Sequence, residues 1–293
     1  MTNAPDLCYQ VFVKRFQANV LVKNQFGCTL AVMEIRMLVF WSLFALSVSA
    51  QSPNVVKIGS EILVADAFVG YDNFGFEYFI TDNVFCKKKG NVILEYKNLS
   101  LGKISHADIR NPLQIVLFYE NFNSAVLIDN QLNETHKISF SQNNVPIVAT
   151  AVGMASANRL WLFNSLSQKI GLFDYLKNDY REITVPFTGK IGHYESDFNY
   201  FHWIDDRGFR FATDIYGKVT EYGKTVGFDQ FKLADDRWIL YAKDDKIYAL
   251  AVKSDKSYPL AVDEKTFKSF QYQAQILSIF TKQGITNYKI TLP

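Results

Sequence analysis

Two short stretches hold the residue types that acid–base or metal chemistry would need. The first is His193-Tyr194-Glu195-Ser196-Asp197. If it is a strand, period-two alternation sets His193, Glu195 and Asp197 on one face. The second is Ser105-His106-Ala107-Asp108, followed by Arg110. An imidazole beside carboxylates can relay a proton or ligate a divalent cation. His106, Asp108, His193 and Glu195 are therefore the catalytic candidates. Arg110, Tyr194 and Asp197 are candidate ligand contacts. Short His/Glu/Asp patterns also arise in ordinary polar walls, where they only hydrogen-bond to each other and to water.

Other motifs carry less. The chain has no G-x-S-x-G elbow, P-loop or G-x-G-x-x-G, so no cofactor is expected. No D-x-D-x-D-G calcium loop occurs, and no metal is expected. Asp205-Asp206, Asp235-Asp236 and Asp244-Asp245 read as turn residues. Cys86 precedes Lys87, Lys88 and Lys89, a setting that would favour a thiolate. With no histidine partner, it reads instead as an inert strand cysteine. Tyr194, Phe198, Tyr200 and Phe201 could form a stacking surface for a glycan or a partner.

These residues must be held by a fold, and the strongest signal for it is periodic. Six segments share an apolar strand, a short polar turn and a second apolar strand. They begin at Tyr78, Ile115, Arg159, Tyr200, Arg237 and Ile276. Their first turn residues are Thr81, Glu120, Asn164, Asp205, Lys243 and Thr281, spaced 39, 44, 41, 38 and 38 apart. A period near 40 with a hairpin in each unit matches propeller blades. Helical repeats of similar length would show apolar residues at three and four, which these runs do not.

Each hairpin can be completed to four strands. Outer strands are expected at segments such as 92–96, 137–140 and 182–185. Inner strands are expected at 104–107, 147–151, 191–194, 231–234 and 267–271, around the axis. His106 and His193 would then face one channel, where a small molecule or glycan could lodge. The sixth unit ends at Pro293 without an outer strand. A strand near 55–58 or 62–64 would supply it, closing the ring and removing two edges. The expectation is an all-β, six-bladed β-propeller of four-stranded antiparallel blades over residues 51–293. Its last blade is closed by an N-terminal strand.

Residues 37–50, MLVFWSLFALSVSA, are uncharged, follow Arg36 and end in Val48-Ser49-Ala50. That is the pattern of a secretory signal cleaved after Ala50. As a helix the run spans about 21 Å, short of the ~30 Å hydrocarbon core, so no membrane span is expected after cleavage. A start at Met33 or Met37 would make the signal compact. Residues 1–36 then read as an extension outside the fold. Only Cys86 of the three cysteines follows the signal, which excludes an internal disulfide. The first 50 residues hold four basic and two acidic groups, so the remainder carries 27 of each sign. A neutral chain has no field for phosphate backbones, and nucleic acid is not an expected partner.

With this repeat and leader the chain resembles the six-bladed extracytoplasmic β-propellers of bacteria, the superfamily holding TolB-like and YWTD-like repeats. No YWTD, Asp-box, kelch or Trp-Asp signature assigns a named family within it. The resemblance implies an exported protein of the periplasm or outer envelope that binds another envelope protein. A hydrolase or lyase using His106, His193 and Glu195 is the alternative, and a carbohydrate-binding module a third reading.

Overall fold

Two-residue turns set the pitch of the repeat. Asp82-Asn83, Asp244-Asp245 and Ala274-Gln275 all have positive φ at both positions, between 48° and 67°. They join Thr81 to Val84, Lys243 to Lys246 and Gln273 to Ile276. This backbone matches the right-handed twist of paired strands, which is why Asn and Asp recur there. A second device recurs at longer turns. Asp72, Asp129, Asp205 and Asp214 each accept the backbone N–H groups two and four residues on through one oxygen. Of the acidic turn residues singled out in the sequence, Asp205 and Asp235 are thus hydrogen-bond acceptors for the chain's own backbone.

The computed structural model describes residues 52–293. Among them, 24 strands, numbered in chain order, form six four-stranded antiparallel sheets. The protein is a six-bladed β-propeller. The innermost strands of blades 1 to 6 are β2 (Ala67–Tyr71), β6 (His106–Asp108), β10 (Ala149–Ala155), β14 (Ile191–Ser196), β18 (Gln230–Leu233) and β22 (Ser269–Gln273). Blade 6 runs β22, β23 (Ile276–Phe280), β24 (Gly284–Thr291) and then β1 (Asn54–Ile62). The expected closure by an N-terminal strand is therefore present. β1 pairs antiparallel with β24, with Asn54 opposite Thr291 and Ile62 opposite Gly284. The expected leader and cleavage site lie outside the described residues. No helix among those described is long and apolar enough to cross a membrane.

Blade faces, not a central ball, form the core. Trp161, Phe163, Phe201 and Trp203 pack together between blades 3 and 4. Val116, Phe118, Leu160, Leu162 and Phe173 do so between blades 2 and 3. Each such side chain contributes about 1.5–3 kcal/mol by leaving water. Most strand boundaries shift by one to four residues from the sequence reading, and two of the shifts follow from packing. β13 is Asp179–Glu182, three residues before the expected outer strand, because Tyr180 is the residue that buries against the core. The inner strand of blade 2 begins at His106 rather than at residue 104, and Ile104 packs under it as part of the lead-in.

Side-chain amides stitch blades together. Asn123 donates to the Ile147 carbonyl at 2.7 Å and accepts the Ala149 N–H at 2.9 Å. Asn83 does the same for Gly102 and Ile104, and Gln230 for Lys268 and Phe270. In each case one amide satisfies a carbonyl and the N–H two residues on, as a neighbouring strand would.

Candidate functional site

Alternation along β14 sends His193 and Glu195 toward blade 5 and Tyr194 toward blade 3. The His193 ring packs edge-on against Phe231 at 5.5 Å and Phe228 at 6.1 Å. Its Nε2 lies 3.3 Å from Glu195 Oε1. Lys232 Nζ lies 3.6 Å from the same oxygen. Glu195 Oε2 accepts the Leu233 N–H at 3.2 Å. Burial alone would raise the pKa of Glu195. Lys232, His193 and the Leu233 N–H outweigh that and hold the carboxyl below its usual range.

On the other face, the Tyr194 hydroxyl donates to the Val152 carbonyl at 3.3 Å. Its ring lies 5.1 Å from that of His106, on blade 2. Burial pushes the His106 pKa down to about 4, and the nearby charges of Lys232 and His193 add to the fall against Asp108 and Glu195. His106 is therefore neutral at physiological pH. Four predicted residues, His106, His193, Tyr194 and Glu195, thus gather on inner strands around the axis.

The other three are placed differently. Asp108 is buried and ties blade 2 to blade 3: Oδ2 accepts the Met154 N–H at 2.8 Å and Oδ1 the Arg110 N–H at 3.0 Å. Gly153 is needed beside it, because a Cβ there would collide with Ser196. Arg110 is exposed in the loop after β6. Asp197 does not share the face of His193 and Glu195. β14 ends at Ser196, and Asp197 turns to accept the N–H groups of Asn199 and Tyr200 at 2.7 and 2.8 Å. Tyr194 stacks on Phe201 at 5.6 Å inside the blade seam, so of the four aromatics only Phe198 and Tyr200 are exposed.

Lys232 was missed, and His202 reads in the sequence only as part of an apolar hairpin strand before an acidic turn. Lys232 sits on β18 between buried or half-buried apolar residues, and its inner-strand position was the available signal. His202 stands directly across the β14–β15 ladder (β15, Tyr200–Asp205) from Glu195. Burial lowers its pKa. Among the described residues, no three His, Cys, Asp or Glu side chains converge as a metal-ligand set. Cys86 lies buried in β4 (Val84–Lys89), where burial pushes the thiol up to about 11. The adjacent lysines do not offset this. Lys87 bonds the Asn130 carbonyl, Lys88 pairs with Glu77, and Lys89 bonds the Phe74 carbonyl.

One sizeable groove lies away from the inner strands. Its volume is about 860 Å³, and its lining on blade 6 includes Lys57, Glu61, Asp263, Lys265 and Lys282. Lys57 and Asp263 pair across it at 3.0 Å. A different region of the same end of the propeller exposes apolar side chains. Strand direction brings every second-to-third-strand turn and every blade-to-blade connection to one rim. On blades 2 to 4 three segments of that rim, residues 140–148, 165–168 and 183–187, contain no charged residue, and Glu120, Lys190, Asp206 and Arg207 stand in the rim turns around them. Val145, Val148, Leu166 and Val185 stand 41–76% exposed there, flanked by Leu99 and Phe122. Asn123 and Asn164 hold it from below. Asn164 donates to the Pro146 carbonyl and accepts the Val148 N–H, each at 3.0 Å.

No family model and no curated protein matches the chain. Solved structures do. A streptogramin B lyase superposes with a TM-score of 0.53 at 9% identity, over 82% of this chain and 98% of the other. Virginiamycin B lyase from Staphylococcus aureus gives 0.50 at 14% identity, over 82% and 100%. YCF48 bound to a D1 peptide gives 0.51 at 9% identity, over 84% and 99%. At these identities the likeness is one of fold.

Proposed function

We propose that this chain is a non-enzymatic, exported propeller of the bacterial envelope that holds another protein on three uncharged segments of the rim between blades 2 and 4. The observation that carries this reading is the rim itself. Three neighbouring segments without a charge expose four aliphatic side chains on a backbone already fixed by Asn123 and Asn164. Charge depletion around an apolar centre is the signature of an interface core. A fixed backbone lowers the ordering cost of association. Export rests on the signal pattern of residues 37–50. YCF48, which has this fold, is solved with a bound peptide.

A second reading, a lyase or hydrolase at the axis, draws on the neutral His106 beside Tyr194. The carboxylates it would need are engaged. Asp108 accepts two backbone N–H groups, and Glu195 faces Lys232, His193 and the Leu233 N–H. A general base must be free to reach its substrate.

The test is capture from envelope extract of the source organism, read by mass spectrometry. It uses the wild type, a Val145→Asp/Leu166→Asp/Val185→Asp variant and a His106→Gln/His193→Gln variant. A protein retained by the wild type and axial variant but lost from the rim variant is expected. A protein lost only from the axial variant would place binding in the channel and defeat the rim reading.

A further inference from the structure

Superposing the blades by register isolates one residue that breaks the repeat. The second residue of each third strand sits across from an apolar residue of the second strand. The pairs are Ile80–Phe85, Phe118–Ala125, Phe163–Ile170, Ile204–Arg210, Ala242–Ile247 and Phe280–Ile285. Five of the six positions hold an apolar residue at most 1% exposed. Blade 4 places Arg210 there, on β16 (Phe209–Asp214), at 9% exposure.

A buried guanidinium costs several kcal/mol unless it is paired. Arg210 lies 5.0 Å over the Tyr222 ring. Among the described residues it makes no ion pair and no hydrogen bond, and burial lowers its pKa with only the Tyr222 hydroxyl opposing. The guanidinium lines a pocket of about 40 Å³ between blades 4 and 5 with Lys224, Thr225, Leu250, Val252 and Asp255. Thr225, on the same wall, has a buried Oγ1 with no protein partner. Room for the pocket comes from Gly223, which pairs with Arg210 across the β16–β17 ladder (β17, Val219–Lys224). Its φ is +82°, and nothing lies within 4 Å of where its Cβ would be.

We propose that this seam pocket binds a small oxyanion, a carboxylate or phosphate group. Arg210 supplies the planar donor fork, Thr225 Oγ1 a hydroxyl donor and Lys224 further charge. Arg is suited to this by its two parallel N–H donors, which match carboxylate and phosphate oxygens. With Asp255 on the wall, the pocket keeps a net charge of +1. Its size admits one such headgroup, with the rest of any larger ligand outside. The site is independent of the rim and of the partner proposed there.

Thermal unfolding of the full chain tests it, in chloride, acetate and phosphate at matched ionic strength. The informative variant is Arg210→Ile, which installs the residue type the other blades carry. In chloride, Arg210→Ile is expected to melt above the wild type, because an unpaired buried charge has gone. In acetate or phosphate the difference should shrink or reverse, because only the wild type gains from the anion. The anion that closes the gap identifies the headgroup. Thr225→Val should weaken that response about tenfold in apparent affinity. A gap between wild type and Arg210→Ile that is the same in all three salts would overturn the proposal. If Arg210→Ile does not fold, Arg210→Lys keeps the charge and loses the fork. An anion response unchanged in Arg210→Lys would overturn the proposal equally.

Discussion

The axis and the rim of this propeller dispose of their polar groups in opposite ways. At the axis, titratable side chains from blades 2, 4 and 5 meet, and nearly every oxygen is engaged. Asp108 holds two backbone N–H groups. Glu195 holds a lysine, a histidine and a third N–H. On the rim, the segments 140–148, 165–168 and 183–187 hold no titratable residue, and Val145, Val148, Leu166 and Val185 stand exposed in them. The residues that look reactive in the sequence work as structural ties between blades. Those that look inert are the ones left exposed, where the proposed partner would sit. Reactive residue types alone are thus a poor guide to function, and whether their atoms are already engaged is a better one.

The contrast is most exposed to failure at Asp108. Asp108→Ala leaves the buried Met154 N–H without an acceptor, and about 3 kcal/mol of stability should be lost. Urea denaturation reads this, and a loss near zero would mean that the axis is not structural.

Acid should act on the same region. The folded pKa of His106 is about 4 against an ordinary 6.5. The unfolded chain therefore binds a proton before the folded one does, and stability falls as pH drops from 6.5 toward 4, by roughly 3 kcal/mol. Glu195, held below its usual range, adds a loss of the same sign, which begins near its unfolded pKa. His106→Gln should flatten the upper part of that slope. An unchanged slope in His106→Gln would assign it elsewhere.

Asn123 links the two regions, because it clamps the lead-in to β10 just beneath the rim. Asn123→Ala removes three hydrogen bonds, to Ser141, Ile147 and Ala149, and places alanine at φ 45°. A loss of about 2 kcal/mol is expected by chemical denaturation, with weaker partner binding as the rim loosens. The smallest effect should be on the rim itself. Acidic substitutions at Val145, Leu166 and Val185 each change stability by about 0.5 kcal/mol or less. A larger loss would mean that these side chains support the fold rather than a partner.

The ring was legible in the sequence because hairpin turns have residue signatures. Asp82-Asn83 and Asp244-Asp245 mark two-residue turns, and their spacing counts the blades. The closing strand was legible because the last hairpin lacked an outer partner. That His106 and His193 both lie on inner strands followed from strand order. Less was readable in the pairing of side chains across blades. Asp108 meets Met154 and Glu195 meets Lys232 over separations that no local pattern encodes. The face of Asp197 was misjudged because strand alternation ends where a side chain begins to bond its own turn. The rim was hidden for a different reason. Residues 140–148, 165–168 and 183–187 are separate in the chain, and only the return of every connection to one end of the blades makes them neighbours.

Hydrogen exchange of the chain with and without its captured partner tests the central claim most directly. Binding at the rim predicts added protection at the backbone amides of residues 140–148, 165–168 and 183–187, with β14 and β18 unchanged. Added protection confined to β14, β18 and the loop after β6 would contradict it and place the partner at the axis.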